Sequence, residues 1–142
     1  MYICLDYGLK RIGVALSHNG KMAHPLCTIP NHGDAKNLAA LRAIIAKNTT
    51  GGVVYQNILP PVVVVLGVPN GLIAEHAHRF GGLIAREIGA VVDYHDENFT
   101  SIEAEAYLRE TLGMRDLKKI KELLDPTAAT MILNSYLETK GE

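Results

Sequence analysis

The stretch ICLDYGLKRIGVALS, residues 3–17, decides the fold expected for this chain. Its first half belongs to the segment Tyr2–Asp6, which is apolar on both faces, as is typical of a central strand that helices cover on both sides. The strand ends on the carboxylate of Asp6, and the chain then turns through Gly8 into a second apolar stretch. Burying a charge at the end of a core strand is costly unless it is compensated. We therefore expect Asp6 to have a partner or a function.

The second stretch, Arg11–Ser17, has the alternation of a strand, with larger apolar side chains on one face and Gly13 and Ala15 on the other. A turn then leads into a third predicted strand, Lys21–Ile29. Because Pro25 has no N–H to donate to a strand ladder, we expect this third strand at an edge of the sheet. Three consecutive strands with short turns predict an antiparallel meander.

The remainder of the chain alternates between helical and strand patterns. The predicted elements are a helix capped by Asp34, a strand Val62–Gly67, a helix Ile73–Ile88, a strand Ala90–Tyr94, a helix capped by Thr100, and a last helix that Asp125 and Pro126 open. Strands that helices separate usually run parallel. We therefore expect an α/β fold in which a five-stranded mixed sheet has helices on both faces.

Composition restricts the class of protein. A chain of 142 residues predicts one domain over residues 1–142, and 48% apolar with 20% charged residues is typical of a globular chain. A net charge of −1 produces no global basic field of the kind that indicates a nucleic-acid partner. Cys4 and Cys27 lack disulfide or metal-ligand spacing, so we expect reduced thiols. Without a leader pattern or a membrane-spanning apolar run, we expect a soluble, cytoplasmic protein with no membrane association.

Three acidic residues form the candidate catalytic and metal-binding set: Asp6, Glu97 and Asp125. The first two follow predicted strands, whose carboxyl ends meet in a cleft in sheets of this kind. Carboxylates suit Mg²⁺ or Mn²⁺, and two such ions can activate water and stabilise the leaving oxygen of a phosphodiester. Each acid also has an ordinary explanation as a turn, surface or N-cap residue. The sequence does not decide between Glu97 and its neighbour Asp96.

Cations near these acids are candidate substrate ligands. Lys10 and Arg11 in the first turn could neutralise a phosphate or could be solvated turn charges. Five more cations lie near the last helix, namely Arg109, Arg115, Lys118, Lys119 and Lys121. They suit a nucleic-acid backbone, although Asp116 and Glu122 between them favour a solvated helix face. His95 precedes the acidic pair and is a candidate for proton transfer.

Five ordered blocks resemble the YqgF (RuvX) family over essentially the whole chain: LDYGLKRIGVALS, AHPLCTI, VVVLGVPNG, DENFTSIEAE and LDPTAATMILNSYLE. That family comprises bacterial RNase H-like nucleases assigned to pre-16S ribosomal RNA maturation and also described as Holliday junction resolvases. The resemblance implies an RNase H-like fold with sheet order 3-2-1-4-5. The family has an aspartate in its first strand, an acidic pair, and an aspartate in its last helix. The resemblance implies that these residues are, in this chain, Asp6, Asp96–Glu97 and Asp125.

The resemblance also implies hydrolysis of phosphodiester bonds with Mg²⁺ or Mn²⁺. The implied partner is a nucleic acid, either structured RNA, with a ribosomal precursor particle as its setting, or branched DNA. The sequence leaves open whether the chain is a monomer or a homodimer. Two features depart from the family. Asn98 stands where the family usually has an arginine, which leaves open a phosphate contact there, and the loop Thr49–Pro61 is longer than expected.

The residues leave alternative functions open. The same chemistry serves RNA and branched DNA, because backbone contacts and metal ions suit either polymer; only a contact to the 2′-hydroxyl separates them. The near-neutral charge and Asn98 also allow a non-catalytic nucleic-acid-binding or regulatory module. An ATP-binding protein of the actin and hexokinase type needs two such domains around its nucleotide, and this chain supplies one.

Overall fold

The computed structural model describes residues 1–49, 62–68, 71–96 and 101–140, with the side chains of residues 101 and 102 left aside. Its elements are β1 (Tyr2–Tyr7), β2 (Arg11–Ser17), β3 (His24–Pro30), α1 (Asp34–Asn48), β4 (Val63–Val68), α2 (Leu72–Glu87), β5 (Val91–Asp96), α3 (Ser101–Ala106), a π-helical segment (Tyr107–Thr111) and α4 (Leu117–Lys140). The order of strands and helices is the predicted one. None of the described helices has the length and apolar character needed to cross a membrane.

The five strands form one mixed sheet in the order β3-β2-β1-β4-β5. Strand β1 pairs antiparallel with β2 and parallel with β4, and β5 pairs parallel with β4. The predicted mixed sheet and the strand order implied by the family resemblance are thus confirmed. Strand β3 lies at an edge, as Pro25 predicts, and its register against β2 shifts between Val14 and Ala15, beside that proline.

The two faces of the sheet carry different side chains. On the α1–α2 face, large residues such as Leu5 and Val14 pack in one core with Phe80 of α2. On the opposite, α4 face, the smaller residues Cys4 and Ala15 pack against α4. Val14 and Ala15 are neighbours in β2 and belong to different cores, so the predicted alternation of that strand is confirmed.

Two glycines allow α4 to lie close to the sheet. A Cβ added at Gly13 would overlap the backbone carbonyl oxygen of Asp125, and one added at Gly67 would lie 2.8 Å from Cδ1 of Ile132. At Gly13 the overlap is with backbone, so α4 could not pack at this depth if β2 carried a side chain there. At Gly67 the overlapping atom is the end of the Ile132 side chain, which would have to shift. The glycines therefore set the position of α4 over the central strands.

The last helix begins at Leu117, so the prediction that Asp125 and Pro126 open it is wrong. Oδ1 of Asp116 accepts a hydrogen bond from the backbone N–H of Lys118 at 3.0 Å and stabilises the start of α4 instead. Pro126 lies inside the helix and is buried. A proline there donates no intrahelical hydrogen bond, so packing of the following turns on the sheet must offset that loss.

Smaller differences concern helix and strand ends. Asp34 is the first residue of α1, but Gly33 occupies the N-cap position that was predicted for it. Strand β3 begins at His24, later than the predicted Lys21. The predicted cap at Thr100 and the loop that follows Thr49 lie outside the described residues.

Both cysteines are thiols, as predicted, with Cys4 buried and Cys27 partly exposed. Burial raises the pKa of the Cys27 thiol, and the nearby charge of Lys47 partly opposes that effect. A raised pKa keeps this thiol protonated and unreactive near neutral pH.

Candidate active site

A row of five residues crosses the sheet at the level of Asp6. The register places Asp6 between Gly13 of β2 and Gly67 of β4, and continues the row to Thr28 of β3 and His95 of β5. In β1, Asp6 is two residues after Cys4, and residues two apart in a strand have their side chains on the same face. Cys4 packs on the α4 face, so the side chain of Asp6 also lies on that face. Because both strand partners of Asp6 are glycines, no side chain of an adjacent strand stands directly beside its half-buried carboxylate.

Asp125 reaches the same place from α4. Its Cβ lies 3.0 Å from the position that a Cβ on Gly13 would occupy, and Gly13 is the antiparallel partner of Asp6. Cβ positions directly opposite in an antiparallel pair are about 5 Å apart, which puts the Cβ atoms of the two aspartates within about 8 Å. The structure therefore brings Asp6 and Asp125 together beside Gly13.

Arg11 holds the carboxylate of Asp125. Its Nε donates a hydrogen bond to Oδ2 of Asp125 at 2.8 Å, and the two side chains are 57% and 27% exposed. Arg11 was predicted as a substrate ligand, and the observed contact is with a candidate catalytic residue instead. Its two terminal guanidinium nitrogens make no hydrogen bond to the described residues, so they remain available to a ligand.

Lys10, the other predicted substrate ligand, is exposed in the turn between β1 and β2. The turn itself is anchored by Asn31, whose backbone N–H donates to the carbonyl of Lys10 at 3.0 Å. The side-chain amide of Asn31 also donates to the carbonyl of Gly8 at 2.9 Å. The sequence analysis missed Asn31, because an asparagine after a strand carries no signal of which turn it will contact.

The two aspartates of β5, Asp93 and Asp96, lie on opposite faces of the sheet. Asp93 accepts a hydrogen bond from the hydroxyl of Tyr136 in α4, whereas the hydroxyl of Tyr94 donates to the carbonyl of His78 in α2 at 3.4 Å. Asp96 is the last residue of β5 and is two residues after Tyr94, so the two side chains lie on the same face of the sheet. Asp96 is therefore on the α1–α2 face, opposite Asp6.

Glu97 and Asn98 lie outside the described residues. Among the residues that are described, no group of three His, Cys, Asp or Glu side chains is arranged to hold a metal ion. Strand alternation places Asp96 on the face opposite Asp6, and the choice of Glu97 as the second ligand stays a prediction.

His95 lies on the same face as Asp6 and two strands away, with Gly67 between them. Its Nε2 is 3.0 Å from Oγ of Ser135 in α4, and its ring stands edge-on to Tyr136. The hydrogen bond holds the imidazole against α4. Its predicted role in proton transfer stays a prediction.

A family model of RuvX, described as Holliday junction resolvase, matches residues 1–139. The chain belongs to the RuvX family. The resemblance drawn from the five sequence blocks is thereby confirmed.

Two bacterial proteins and one solved structure are similar to this chain over most of its length. A Chloroflexus aggregans protein named "Putative pre-16S rRNA nuclease" is 34% identical over 143 residues, which cover 96% of this chain and 92% of that protein. A Dechloromonas aromatica protein of the same name is 35% identical over 144 residues, covering 96% and 90%. A solved chain described as "Thermus thermophilus RuvC structure" aligns at a TM-score of 0.47 and 14% identity over 99% of this chain and 95% of that one.

Beside Asp125, this RuvX-family chain has a cavity of about 400 Å³ that we call the basic groove. It lies between strands β2 and β3 and the first half of α4, and its lining residues are Arg11, Thr28, Lys118, Lys121, Glu122 and Asp125. The sequence offered a nucleic-acid backbone as a partner for these lysines but favoured a solvated helix face, because Asp116 and Glu122 lie between them. The structure adds that α4 begins at Leu117 and that Lys118 and Lys121 line this cavity.

Proposed function

We propose that this chain is a metal-dependent nuclease that hydrolyses phosphodiester bonds. The observation that carries the proposal is the convergence of Asp6 and Asp125 beside Gly13, from a strand near one end of the chain and a helix near the other. Carboxylates that come close together from separate elements are the ligands that divalent cations such as Mg²⁺ and Mn²⁺ prefer. Membership of the RuvX family supports the same conclusion.

The donor set fits Mg²⁺ or Mn²⁺. Asp6 and Asp125 offer hard carboxylate oxygens from two rigid elements, and Glu97 is the third ligand in the proposal. The missing side chain at Gly13 lets the backbone of α4 approach β2, which brings Asp125 toward Asp6. When bound, the divalent ions supply an activated water and stabilise the charge that develops on the phosphate.

Arg11 has two roles in the proposal. Its Nε orients the carboxylate of Asp125 through Oδ2, and in the proposal Oδ1 is the oxygen that binds a metal ion. Its terminal nitrogens are placed to donate to a phosphate oxygen, as guanidinium groups do in pairs of hydrogen bonds. Lys10, exposed in the adjacent turn, adds a second positive charge near the same phosphate.

The substrate we propose is the precursor of 16S ribosomal RNA, cleaved in its 5′-end maturation in the cytoplasm, because the Chloroflexus and Dechloromonas relatives carry that substrate in their name. A ribosomal precursor particle is then the setting of the reaction. Branched DNA is the second candidate, and the family description favours it.

The test is cleavage of a precursor 16S RNA and of a synthetic four-way DNA junction, side by side, with Mn²⁺ or Mg²⁺. We expect the wild type to cleave the RNA and the Asp6→Asn variant to cleave neither substrate. Asp34→Asn is the matched control, since Asp34 is an aspartate that pairs with Arg79 away from the site. It should retain wild-type cleavage.

Three results would change the proposal. Wild-type cleavage by Asp6→Asn would remove Asp6 from the site. Cleavage of the junction alone would transfer the assignment to branched DNA. Binding of RNA without cleavage of either substrate, together with no heat of Mn²⁺ binding in calorimetry, would favour the non-catalytic module.

A further inference from the structure

The basic groove is built on one stripe of α4. Lys118, Lys121, Glu122 and Asp125 follow the spacing i, i+3, i+4 and i+7, and all four line the cavity. The opposite wall is formed by Arg11 and Thr28 of the β2–β3 edge. Lys121 lies about one helical turn from Asp125 and Lys118 about two turns, at a rise of about 1.5 Å per residue.

The lysines of this groove have no carboxylate partner within the described part of the chain. Some exposed arginines elsewhere do have such partners: Arg79 pairs with Asp34 at 3.3 Å, and Arg109 with Glu105 at 2.9 Å. In the groove, Arg11 neutralises Asp125, so the two lysines outweigh the single remaining carboxylate, that of Glu122. A local positive charge persists although the whole chain has a net charge of −1.

We propose that the basic groove binds the backbone phosphates of the nucleic-acid strand that runs away from the scissile bond. In this assignment Lys121 contacts the nearer phosphate and Lys118 the next one along the strand. The inference rests on the proposed nuclease function, because it takes the acidic site beside Asp125 as the place where the strand is cut.

The lining of the groove favours the backbone over the bases. Its residues are cations, a hydroxyl and carboxylates, and none of them is aromatic, whereas base recognition in single strands uses aromatic stacking. Flexible lysine ammonium groups suit phosphate contacts that carry no sequence information. The groove thus positions the strand, and it predicts binding without a strong sequence preference.

The test measures binding of a short single-stranded RNA by fluorescence anisotropy, in EDTA so that no cleavage occurs, over a series of salt concentrations. Each phosphate contact contributes about 0.7 to the slope of log K against log salt for single strands. We expect the Lys118→Ala/Lys121→Ala variant to lower that slope by about 1.4. Lys119→Ala is the matched control, because Lys119 lies on the same exposed helical turn but does not line the groove.

A third variant tests the sign of the effect. Glu122→Gln removes the carboxylate that opposes the lysines, so RNA should bind more tightly than to the wild type. If the double lysine variant keeps the slope of Lys119→Ala, or if Glu122→Gln weakens binding, the groove does not hold the strand.

Failure of this inference is separable from failure of the nuclease proposal. A wild type that cleaves RNA, with a double lysine variant unchanged in both KM and salt slope, would overturn the groove and leave the nuclease. A wild type that binds RNA through the lysines and cleaves nothing with Mn²⁺ would overturn the nuclease and leave the groove as a binding site.

Discussion

The α1–α2 face and the α4 face of the sheet differ in the size and polarity of their side chains. The first is covered by large apolar residues, including Leu66 and Phe80, that are almost fully buried. The second carries glycines at Gly13 and Gly67 in the same row as the carboxylate of Asp6. Burial of apolar area stabilises the first face by about 25 cal/mol for each Å², and the second gives up part of that gain.

We expect the α1–α2 face to contribute mainly to stability and the α4 face to carry the proposed catalytic residues. A row of small residues lets the backbone of α4 approach the sheet, which places Asp125 beside Asp6. The small-residue face thus positions the candidate acids, whereas the large-residue face fills a core. Substitutions on the two faces should therefore have different readouts.

The largest expected effect separates two neighbouring acids at the end of β5. We expect Glu97→Gln to reduce cleavage by on the order of 10³-fold, because loss of a proposed metal ligand removes several kcal/mol of transition-state stabilisation. Asp96→Asn, on the α1–α2 face by strand alternation, should retain activity close to that of the wild type. Single-turnover cleavage rates measure both, and the reverse result would show that alternation ends before Asp96.

On the large-residue face, Phe80→Ala should lower the free energy of unfolding by about 3–5 kcal/mol, because it leaves a cavity in the larger core. Phe80 is 1% exposed and stacks against Tyr7. Urea denaturation measures the loss. Below the unfolding midpoint the folded fraction should keep wild-type cleavage, and a specific loss of activity would mean that the two faces are coupled.

On the small-residue face, Gly13→Ala should lower the free energy of unfolding by about 1–3 kcal/mol, because the new methyl group overlaps the carbonyl of Asp125 and pushes α4 outward. It should also reduce cleavage, since Asp125 moves with the helix. Gly82→Ala is the control: nothing lies within 4 Å of a Cβ there, and alanine should stabilise α2 by up to about 1 kcal/mol.

The smallest effect concerns the polar edge of the α4 face. Tyr136→Phe removes the hydrogen bond to Asp93 and should lower the free energy of unfolding by about 1 kcal/mol. Burial, the hydrogen bond to Asp93 and the charge of Asp93 raise the pKa of Tyr136 above its ordinary value of 10.0. The folded state therefore retains this proton at a pH where the unfolded chain loses it.

The contribution of the Tyr136 hydroxyl to the free energy of unfolding is therefore fully present below pH 10. It is lost as the pH rises toward the pKa of Tyr136 in the folded state. The difference in free energy of unfolding between the wild type and Tyr136→Phe, measured by denaturant titration, should then decrease above pH 10. A difference that grows with pH would contradict the direction of the shift.

Local signals in the sequence predicted most of the fold. The alternation in β2 assigned Gly13 and Ala15 to one face, and Pro25 placed β3 at an edge, because a missing N–H excludes a central position. The end of the first strand also singled out Asp6 as a candidate site residue, and that role stays a prediction. These predictions depend on residue pattern alone, and they needed no knowledge of which elements touch.

The sequence was misleading at the start of α4. An aspartate followed by proline is a strong local signal for a helix N-terminus, yet Pro126 is buried inside a helix that Asp116 caps. Packing on the sheet offsets the missing hydrogen bond, and a local pattern contains no information about packing. The sequence named Lys118 and Lys121 as candidate backbone ligands, but only the docked helix shows that they line one cavity with Arg11 and Asp125.

By itself, then, the sequence determined the order of the elements, the central strand that ends on Asp6 and the candidate acids. Only the tertiary structure decided that Arg11 pairs with Asp125, 114 positions away, and that Asp125 lies against Gly13. The physical reason is that hydrogen bonds and close packing act between surfaces that meet only when α4 has docked on the sheet, whereas strand and helix patterns arise from neighbours along the chain.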